Sequence, residues 1–315
     1  MSTAPARETL GRPVNSTGRP RSSSSPLGSR FAGVPWILPA VFLVIGLIYF
    51  PIGFLGYTST LDWNGFILST PEPIGDANYE QMFGDPVFWG ALQHTVVFYV
   101  ITFSVQTLVG FTFAALMHSR ILLSNVYKAI VFIPVVLAPA TMAPVFRQTF
   151  DQFGPFNGLL NAIGLGDLTR PWRADPTTAM PVVMFITVWQ WTGLTFILYY
   201  AAMSQLNPEI LEAARVDGAS SIRVLRSIVW PLCRGTTAVL AVLGLIGALK
   251  TFDIPYLVTR GGPNHATEFL GTLVYFTMAQ EKHFGYAATL AMALLVLAVT
   301  GGVLLRMSTR RSEDG

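Results

Sequence analysis

The chain has 315 residues, of which 52% are hydrophobic and 12% charged, with a mean hydropathy of +0.51 and a net charge of +3. Soluble domains usually carry about 25% charged residues, so this composition excludes an ordinary soluble protein. Apolar runs of roughly 20 residues, long enough to cross a bilayer, occur six times. We therefore predict an all-α, polytopic membrane protein with six transmembrane helices, near residues 36–56, 92–116, 126–146, 180–204, 236–256 and 284–305.

The segments around these runs divide the chain into regions. Residues 1–30, rich in Ser, Arg and Pro, cannot bury an apolar face and are expected to form a disordered cytoplasmic tail. Residues 31–90, the first span and an acidic outer loop, are expected to be an appended unit, and the other five spans a compact core at 91–305. Residues 306–315 are expected to form a C-terminal cytoplasmic tail.

The positions of the basic residues predict how the chain is oriented. With the N-terminus inside, fourteen of the 20 Lys and Arg residues fall on the cytoplasmic side of the six spans and six on the outer side. Basic residues near span ends favour the cytoplasm, and an even number of spans brings both termini to the same side. We expect a multi-pass protein of the bacterial plasma membrane with both termini in the cytoplasm.

Two outer segments carry features of their own. The Gly- and Pro-rich loop at 150–176 is expected to contain one short interfacial helix near 156–163. After the fifth span, Gly261-Gly262-Pro263 forces a turn. The stretch 268–280 is apolar but too short to cross a bilayer, so we predict an amphipathic helix lying at the outer face.

A polar segment at 205–234 interrupts the apolar pattern between the fourth and fifth spans. Asn207, followed by a proline and a glutamate, is a strong helix start, and Asp217-Gly218 should end that helix. A second start follows, and Pro231 should end the second helix or kink it into the fifth span. The pattern predicts two short cytoplasmic helices joined at a glycine, although an ordinary loop anchored at the headgroups by arginines has the same composition.

The spacing within this segment resembles the signature Glu-Ala-Ala-x3-Gly-x9-Ile-x-Leu-Pro of permease subunits of binding-protein-dependent ABC importers. The chain matches it at Glu212, Ala213, Ala214, Gly218, Ile228 and Pro231. Trp230 stands where leucine is usual, and a large apolar side chain there keeps the packing role. The stretch 251–263, which ends in Gly-Gly-Pro and is followed by Thr267, is similar to the carbohydrate-importer branch and in particular to its MalF-like member.

This resemblance covers about residues 91–305 and implies a type I ABC importer permease fold. It implies as partners a second, MalG-like permease subunit, two cytoplasmic ATPase subunits and an extracytoplasmic substrate-binding protein, besides membrane lipid and no nucleic acid. Glu212 would contact the ATPase and Gly218 would supply the bend, although Glu212 could also be solvated or pair with Arg215. The full set of ATPase-coupling residues implied by the match is Glu212, Ala213, Ala214, Arg215, Asp217 and Gly218.

The residue patterns of enzymes and nucleotide-binding proteins are missing from the sequence. None of the three lysines, Lys128, Lys250 and Lys282, is preceded by glycine, so the Gly-Lys-[Ser/Thr] phosphate-binding pattern is not met. The four histidines are scattered, without the spacing of a metal site. We therefore expect no catalytic residue, no metal site and no cofactor bound by this chain, with ATP hydrolysed by partner subunits.

Polar side chains inside the spans are candidates for a substrate path, because such groups are costly in a membrane and usually functional. Gln190 lies between two tryptophans, and aromatic faces beside an amide suit a sugar, so we predict Gln190, Trp191 and Thr195 as substrate-path residues. Either tryptophan could instead pack against lipid or a neighbouring helix. Lys250 and Asp253, three residues apart on the predicted fifth span, are expected to form an ion pair.

The function that follows is that of a transmembrane permease subunit of an ATP-driven importer. It would take a carbohydrate (a sugar, an oligosaccharide or a related polyol) from the binding protein and pass it across the plasma membrane. The alternative is a secondary transporter or channel that works without an ATPase. That alternative would need a coupling-ion or filter site in the bundle and would not need the Glu-Ala-Ala segment.

Overall fold

The computed structural model describes residues 34–66, 68–118 and 124–311. The predicted N-terminal tail lies outside these residues. The described residues fall into two units, divided between Pro51 and Ile52. The described residues are mostly helical, which confirms the all-α prediction. They also include one small two-stranded sheet.

The first unit consists of helix α1 (Val34–Val44), a π-helical turn (Ile45–Tyr49) and the first residues of α2 (Phe50–Thr58). These elements make one apolar helical run of 23 residues, Trp36–Thr58. That length is enough to cross a bilayer core of about 30 Å. Large apolar side chains such as Leu47 lie exposed along the run, which suits contact with lipid.

The second unit begins with a small antiparallel sheet and a short helix. Strand β1 (Leu61–Asp62) pairs with β2 (Glu72–Pro73), with Leu61 opposite Pro73. Helix α3 (Ala77–Gly84) follows, and its Asn78 is buried. Asn78 Nδ2 donates to the carbonyl oxygens of Ser59 and Leu61 at 3.0 Å each, which ties α3 to the sheet.

This acidic segment packs on the last helix, α14 (Phe284–Arg311). Both β1 and α3 contact α14, and the Tyr286 hydroxyl donates to Asp85 Oδ2 at 2.7 Å. The acidic part of residues 31–90 thus packs on α14 through contacts that include its polar groups. The grouping of 31–90 as an appended unit stays a prediction.

Three further helices are long and apolar enough to cross a membrane: α4 (Pro86–His118), α8 (Ala179–Met203) and the Phe284–Met307 part of α14. Helices α4 and α8 form the most extensive helix pair. They approach closely at Gly110, where an added methyl group would lie 2.8 Å from Thr195 Cγ2. The missing side chain at Gly110 therefore lets the two helices pack tightly.

Two more apolar segments are broken by bends. Helices α5 (Ser124–Val136) and α6 (Pro139–Thr149) meet at 94°, because the proline that starts α6 disfavours helix at Ala138, which is extended with ψ of 136°. Residues Ser221–Leu232 meet α12 (Arg234–Leu249) at 66°. Among the described residues four helices span unbroken, and the predicted six spans result when each bent pair counts as one.

Short helices connect the spans. Helix α7 (Pro155–Ala162) confirms the helix predicted near 156–163. Helix α13 (Leu270–Ala279) is too short to span, as predicted. It does not lie only at a surface, however, because it packs on α14 and α4 and buries Leu270 and Leu273.

The polar segment folds into consecutive short elements. These are α9 (Pro208–Val216), α10 (Ser221–Val224), a π-helical turn (Leu225–Val229) and α11 (Trp230–Leu232). A further π-helical turn, Pro255–Thr259, follows α12. Three clusters of buried apolar side chains hold the second unit together.

Candidate substrate cavity and coupling surface

A cavity of about 370 Å³ lies among α4, α8, α12 and the loop that follows α12. Its volume falls in the range of roughly 300–1,000 Å³ typical of small-molecule sites. Gln190, Trp191 and Thr195, the three residues predicted for the substrate path, all line it. The structure thus brings them together in one place, and their role in substrate passage stays a prediction.

Helix α8 supplies one face of the cavity. Gly193 lies on another side of α8, where an added methyl group would meet Phe132 Cα of α5 at 3.1 Å. Close contact with α5 therefore fixes the helix while the cavity side is left open. The lining residues recur three or four positions apart, which places them on one side of a helix: Thr187, Gln190, Trp191, Leu194 and Thr195.

The amide side chains of the cavity are held by backbone carbonyl groups. Gln190 is 2% exposed, and its Nε2 donates to Leu137 O at 3.1 Å, at the break between α5 and α6 where helical partners are lost. Gln106 Nε2 donates to Thr187 O at 3.2 Å. Within the described residues neither carboxamide oxygen has a hydrogen-bond partner, so both can accept hydrogen bonds from a ligand.

The two tryptophans beside Gln190 have different surroundings. Trp191 lines the cavity. Trp189, two positions earlier and on the other side of the helix, packs edge-on against Phe146 of α6, with ring centroids 5.2 Å apart. Trp189 therefore packs against a neighbouring helix, whereas Trp191 lines the cavity.

Lys250 and Asp253 do not form the ion pair that the sequence predicted. Helix α12 ends at Leu249, so the two residues do not share a helix and the helical spacing rule does not apply to them. Neither takes part in an ion pair within the described residues. Both instead line the cavity, where they add one positive and one negative charge to its wall.

Gln106 of α4 was a candidate for the substrate path from the sequence, but three other lining residues of that helix were not singled out. Phe98, Thr102 and Phe103 line the cavity, but in the sequence they are ordinary members of an apolar run. The polar residues Thr102 and Gln106 are four positions apart and share a helix face. That spacing of two polar residues in an apolar helix could have indicated a cavity-lining face of α4.

Helix α9 has the ends that its sequence predicts. The Asn207 side chain accepts a hydrogen bond from the Glu209 amide at 3.0 Å and so caps the first turn. Gly218, with φ of +79°, follows α9 in a left-handed conformation that favours glycine. Ser220 caps α10 by accepting a hydrogen bond from the Arg223 amide at 3.4 Å.

The six residues predicted to contact an ATPase lie on and just after α9. Ala214 packs partly against the chain's own bundle. Glu212 and Arg215 do not pair with each other in the described structure. The same polar segment also carries exposed apolar side chains, with Val216 at 87% and Ile222 at 77% exposure. The other five predicted residues are exposed: Glu212, Ala213, Arg215, Asp217 and Gly218.

Trp230 fills an apolar site between the polar segment and the spans. Its ring packs edge-on against Phe111 at 5.0 Å and stacks with Tyr199 at 6.3 Å, so the apolar packing expected of this position is present. Tyr199 lies eight residues after Trp191 on α8, about 12 Å along the helix axis. One rigid helix therefore carries both a wall of the cavity and a contact of the polar segment.

The loop after α6 is fastened by polar contacts. Arg173 Nη2 donates to Asp151 Oδ2 at 2.6 Å, and this bond holds the pKa of Asp151 below its ordinary value. Trp172 Nε1 donates to Asn157 Oδ1 at 2.6 Å, which joins α7 to the same loop. In the part of the chain that the structure describes, no three His, Cys, Asp or Glu side chains group so as to hold a metal ion.

Up to six spans, a cavity among the helices and an exposed pair of short helices are the architecture of a polytopic membrane transport subunit. Residues 106–313 match the family described as the binding-protein-dependent transport system inner membrane component. The chain belongs to this family. It is therefore a multi-pass plasma-membrane protein and a permease subunit rather than an enzyme.

Two sequence relatives and one solved structure extend the comparison. The probable ABC transporter permease protein YurN of Bacillus subtilis (strain 168) is 35% identical over 84% of this chain and 92% of its own length. The sulfoquinovosyl glycerol transport system permease protein SmoG of Agrobacterium fabrum (strain C58) is 29% identical over 87% and 88%. A crystal structure of a bacterial ABC transporter involved in the import of the acidic polysaccharide alginate matches with a TM-score of 0.77 and 20% identity, over 90% of this chain and 96% of that one. This chain therefore has the same fold as that transporter. None of these matches supports the alternative of a secondary transporter or channel that works without an ATPase.

Proposed function

We propose that this chain forms part of the path along which an ATP-driven importer passes a carbohydrate across the plasma membrane. The cavity carries this proposal. Its lining combines the Trp191 ring with the unpaired carboxamide oxygens of Gln106 and Gln190. A saccharide has hydroxyl groups that can donate to such oxygens and apolar C–H faces that can lie on an aromatic ring.

The charged residues of the cavity fit the same class of ligand. A hydroxyl group can accept a hydrogen bond from the ammonium of Lys250 and donate one to the carboxylate of Asp253. SmoG, to which this chain is similar, is named for the transport of sulfoquinovosyl glycerol, a glycoside. These points support a glycoside or a short oligosaccharide as the substrate class.

The proposed importer contains further subunits. A binding protein on the outer side would deliver the substrate, and a second, MalG-like permease would complete the path through the membrane. Two ATPase subunits would hydrolyse ATP in the cytoplasm. The concentration of Lys and Arg on one side of the spans supports a topology with both termini in the cytoplasm.

Helix α9 is the proposed docking surface for an ATPase subunit. It carries exposed charges at Glu212 and Arg215, and exposed apolar side chains lie on the same polar segment at Val216 and Ile222. Protein interfaces commonly combine apolar contacts with a polar rim. The small side chain of Ala213 allows the backbone of a partner to approach.

Uptake by the assembled importer in vesicles tests the cavity. The probes are radiolabelled lactose, maltotriose and sulfoquinovosyl glycerol (the saccharide panel), with radiolabelled proline as the non-carbohydrate control. Wild type should import at least one saccharide with ATP and no proline; import of proline alone would overturn the proposed substrate class. Trp191→Leu should raise the half-saturating sugar concentration about tenfold, equivalent to about 1.4 kcal/mol, and Trp189→Leu should leave it near wild type.

ATP hydrolysis by the same complex tests the docking surface. Glu212→Gln should lower hydrolysis stimulated by the loaded binding protein, because the exposed charge that would contact the ATPase is lost. Glu209→Gln is the matched control on the same helix, since Glu209 is exposed but lies outside the Glu-Ala-Ala pattern. Equal loss in both variants, or loss in neither, would count against docking through Glu212.

A further inference from the structure

Glu268 is a buried carboxyl group that no Lys or Arg of the described residues pairs with. It lies between the 259–267 turn and α13 and is 3% exposed. Its Oε2 is 3.4 Å from Nδ1 of His265, and no Lys or Arg pairs with it among the described residues. Its Oε1 is buried with no hydrogen-bond partner in that part of the chain. Burying a carboxyl group with so few partners is costly, which points to a role beyond stability.

Groups from three elements surround this carboxyl group. From the turn, Gly261 comes so close that a methyl group on it would lie 2.5 Å from Glu268 Oε2. From α4, His94 Nδ1 lies 3.0 Å from the backbone oxygen of Glu268. From α13, the Thr272 hydroxyl lies beside the carboxyl group. The titratable groups that face Glu268 are therefore His265 on the turn and His94 on α4.

Glu268 is connected to the cavity through its neighbour in the chain. Phe269 is fully buried and packs edge-on against Phe98, with ring centroids 5.0 Å apart. Phe98 lines the cavity and lies one helical turn after His94 on α4. The pair Glu268–Phe269 therefore contacts the side of α4 that forms the cavity wall.

We propose that Glu268 is a positioning residue that holds the 259–267 turn against α4 and thereby fixes the Phe98 wall of the cavity. The turn is held while the buried Glu268 carboxyl group keeps its proton. Opening transfers that proton to water and leaves a solvated carboxylate. The inference rests on the proposed function of the cavity, because the position of the wall matters only if substrate passes it.

The direction of the pH effect follows from burial. Burial raises the pKa of Glu268, and contacts with Thr272 and His265 oppose that shift. A carboxyl group with a raised pKa stabilises the packed state at low pH, and this contribution is lost as the pH rises through the raised value. The turn should therefore be held at acidic pH and released at alkaline pH.

Hydrogen–deuterium exchange of the assembled importer, with no sugar present, measures how often the 259–267 turn opens. The Ala266 amide, which donates to Pro263 O at 2.9 Å, reports opening of the turn. After correction for intrinsic exchange, wild-type opening should rise with pH by up to about tenfold per unit, the limit for one proton. Glu268→Gln cannot ionise and should flatten this slope. The matched control Glu281→Gln, at an exposed position, should not.

Two more variants separate positioning from folding. Glu268→Ala should open the turn at every pH. His265→Asn, a residue type that tolerates the φ of 59° there, should extend the rise in opening to higher pH, because contact with His265 lowers the pKa of Glu268. An unchanged slope in Glu268→Gln, or no slope in wild type, would overturn the proposal. Wild-type uptake of the saccharide panel decides the proposed function separately: uptake without an exchange slope counts against Glu268 alone, and a slope without uptake counts against the cavity.

Discussion

The contact between α8 and α5 at Gly193 predicts the effect of adding one methyl group. In Gly193→Ala the new Cβ would lie 2.9 Å from Val135 Cγ2 and 3.1 Å from Phe132 Cα, and closer still to the Val131 carbonyl oxygen. Ordinary van der Waals contact begins at 3.4 Å, and two of these three atoms belong to the backbone. The helices must therefore separate by about 0.5–1 Å, and overpacking of this kind costs about 1–3 kcal/mol.

A second glycine serves as a control that isolates the free-energy cost of the steric clash at Gly193. Replacing a helical glycine by alanine gains about 1 kcal/mol of helix propensity, which partly hides a clash. Gly90 in α4 has no atom within 4 Å of an added methyl group, so Gly90→Ala shows the propensity gain alone. The difference in stability between the two variants should therefore be the clash itself.

The single cysteine provides the assay. Cys233 is 1% exposed, so a thiol reagent reaches it only when the bundle opens. Labelling of Cys233 in the assembled importer, quantified by mass spectrometry, should be roughly 5- to 150-fold faster in Gly193→Ala than in Gly90→Ala, the ratio that corresponds to 1–3 kcal/mol. Equal labelling rates in the two variants would refute the reasoning.

Three other sets of substitutions test single features of the chain. Gly218→Asn should keep stimulated ATP hydrolysis and Gly218→Val should lose it, because asparagine tolerates a φ of +79° and a β-branched residue does not; equal activities would contradict this. Lys250→Met and Asp253→Asn should each weaken uptake, and the effect of the double variant should equal the sum of the two single effects within about 0.5 kcal/mol. A larger coupling energy in this double-mutant cycle would be evidence that the two residues form an ion pair after all. Protease resistance of the loop after α6 should stay constant from about pH 8 to pH 5 and fall only in stronger acid. Arg173 lowers the pKa of Asp151, so the stabilisation by the ionised carboxylate is lost only as the pH falls through that lowered pKa. The variant Asp151→Asn should not show this loss of resistance in acid.

The parts of the site that could be predicted from sequence are those that depend on local spacing. Gln190, Trp191 and Thr195 recur at helical intervals on one long apolar helix, so their common face follows from the period alone. The ends of α9 are equally local, because a cap at Asn207 and a glycine at Gly218 act on the residues beside them.

The prediction of a Lys250–Asp253 ion pair was wrong because the helix expected to carry both residues ends before them. The predicted fifth span continued to residue 256, but α12 ends at Leu249. Just beyond that end, α13 approaches so closely that a methyl group on Gly271 would lie 2.9 Å from Thr251 O. A contact between segments 20 residues apart cannot be read from the hydropathy of the segment itself.

The hydrogen bond from Gln190 to the Leu137 carbonyl has a consequence for how such a permease changes its cargo. A substitution at Gln190 that altered selectivity would also remove the hydrogen bond to the Leu137 carbonyl at the α5–α6 break, a loss of about 0.5–1.5 kcal/mol for a typical hydrogen bond. The side chains of Lys250 and Asp253 make no hydrogen bond or ion pair within the described residues. Adaptation to a new ligand should therefore begin in the loop after α12, and a mutant library made to redirect transport should be concentrated there.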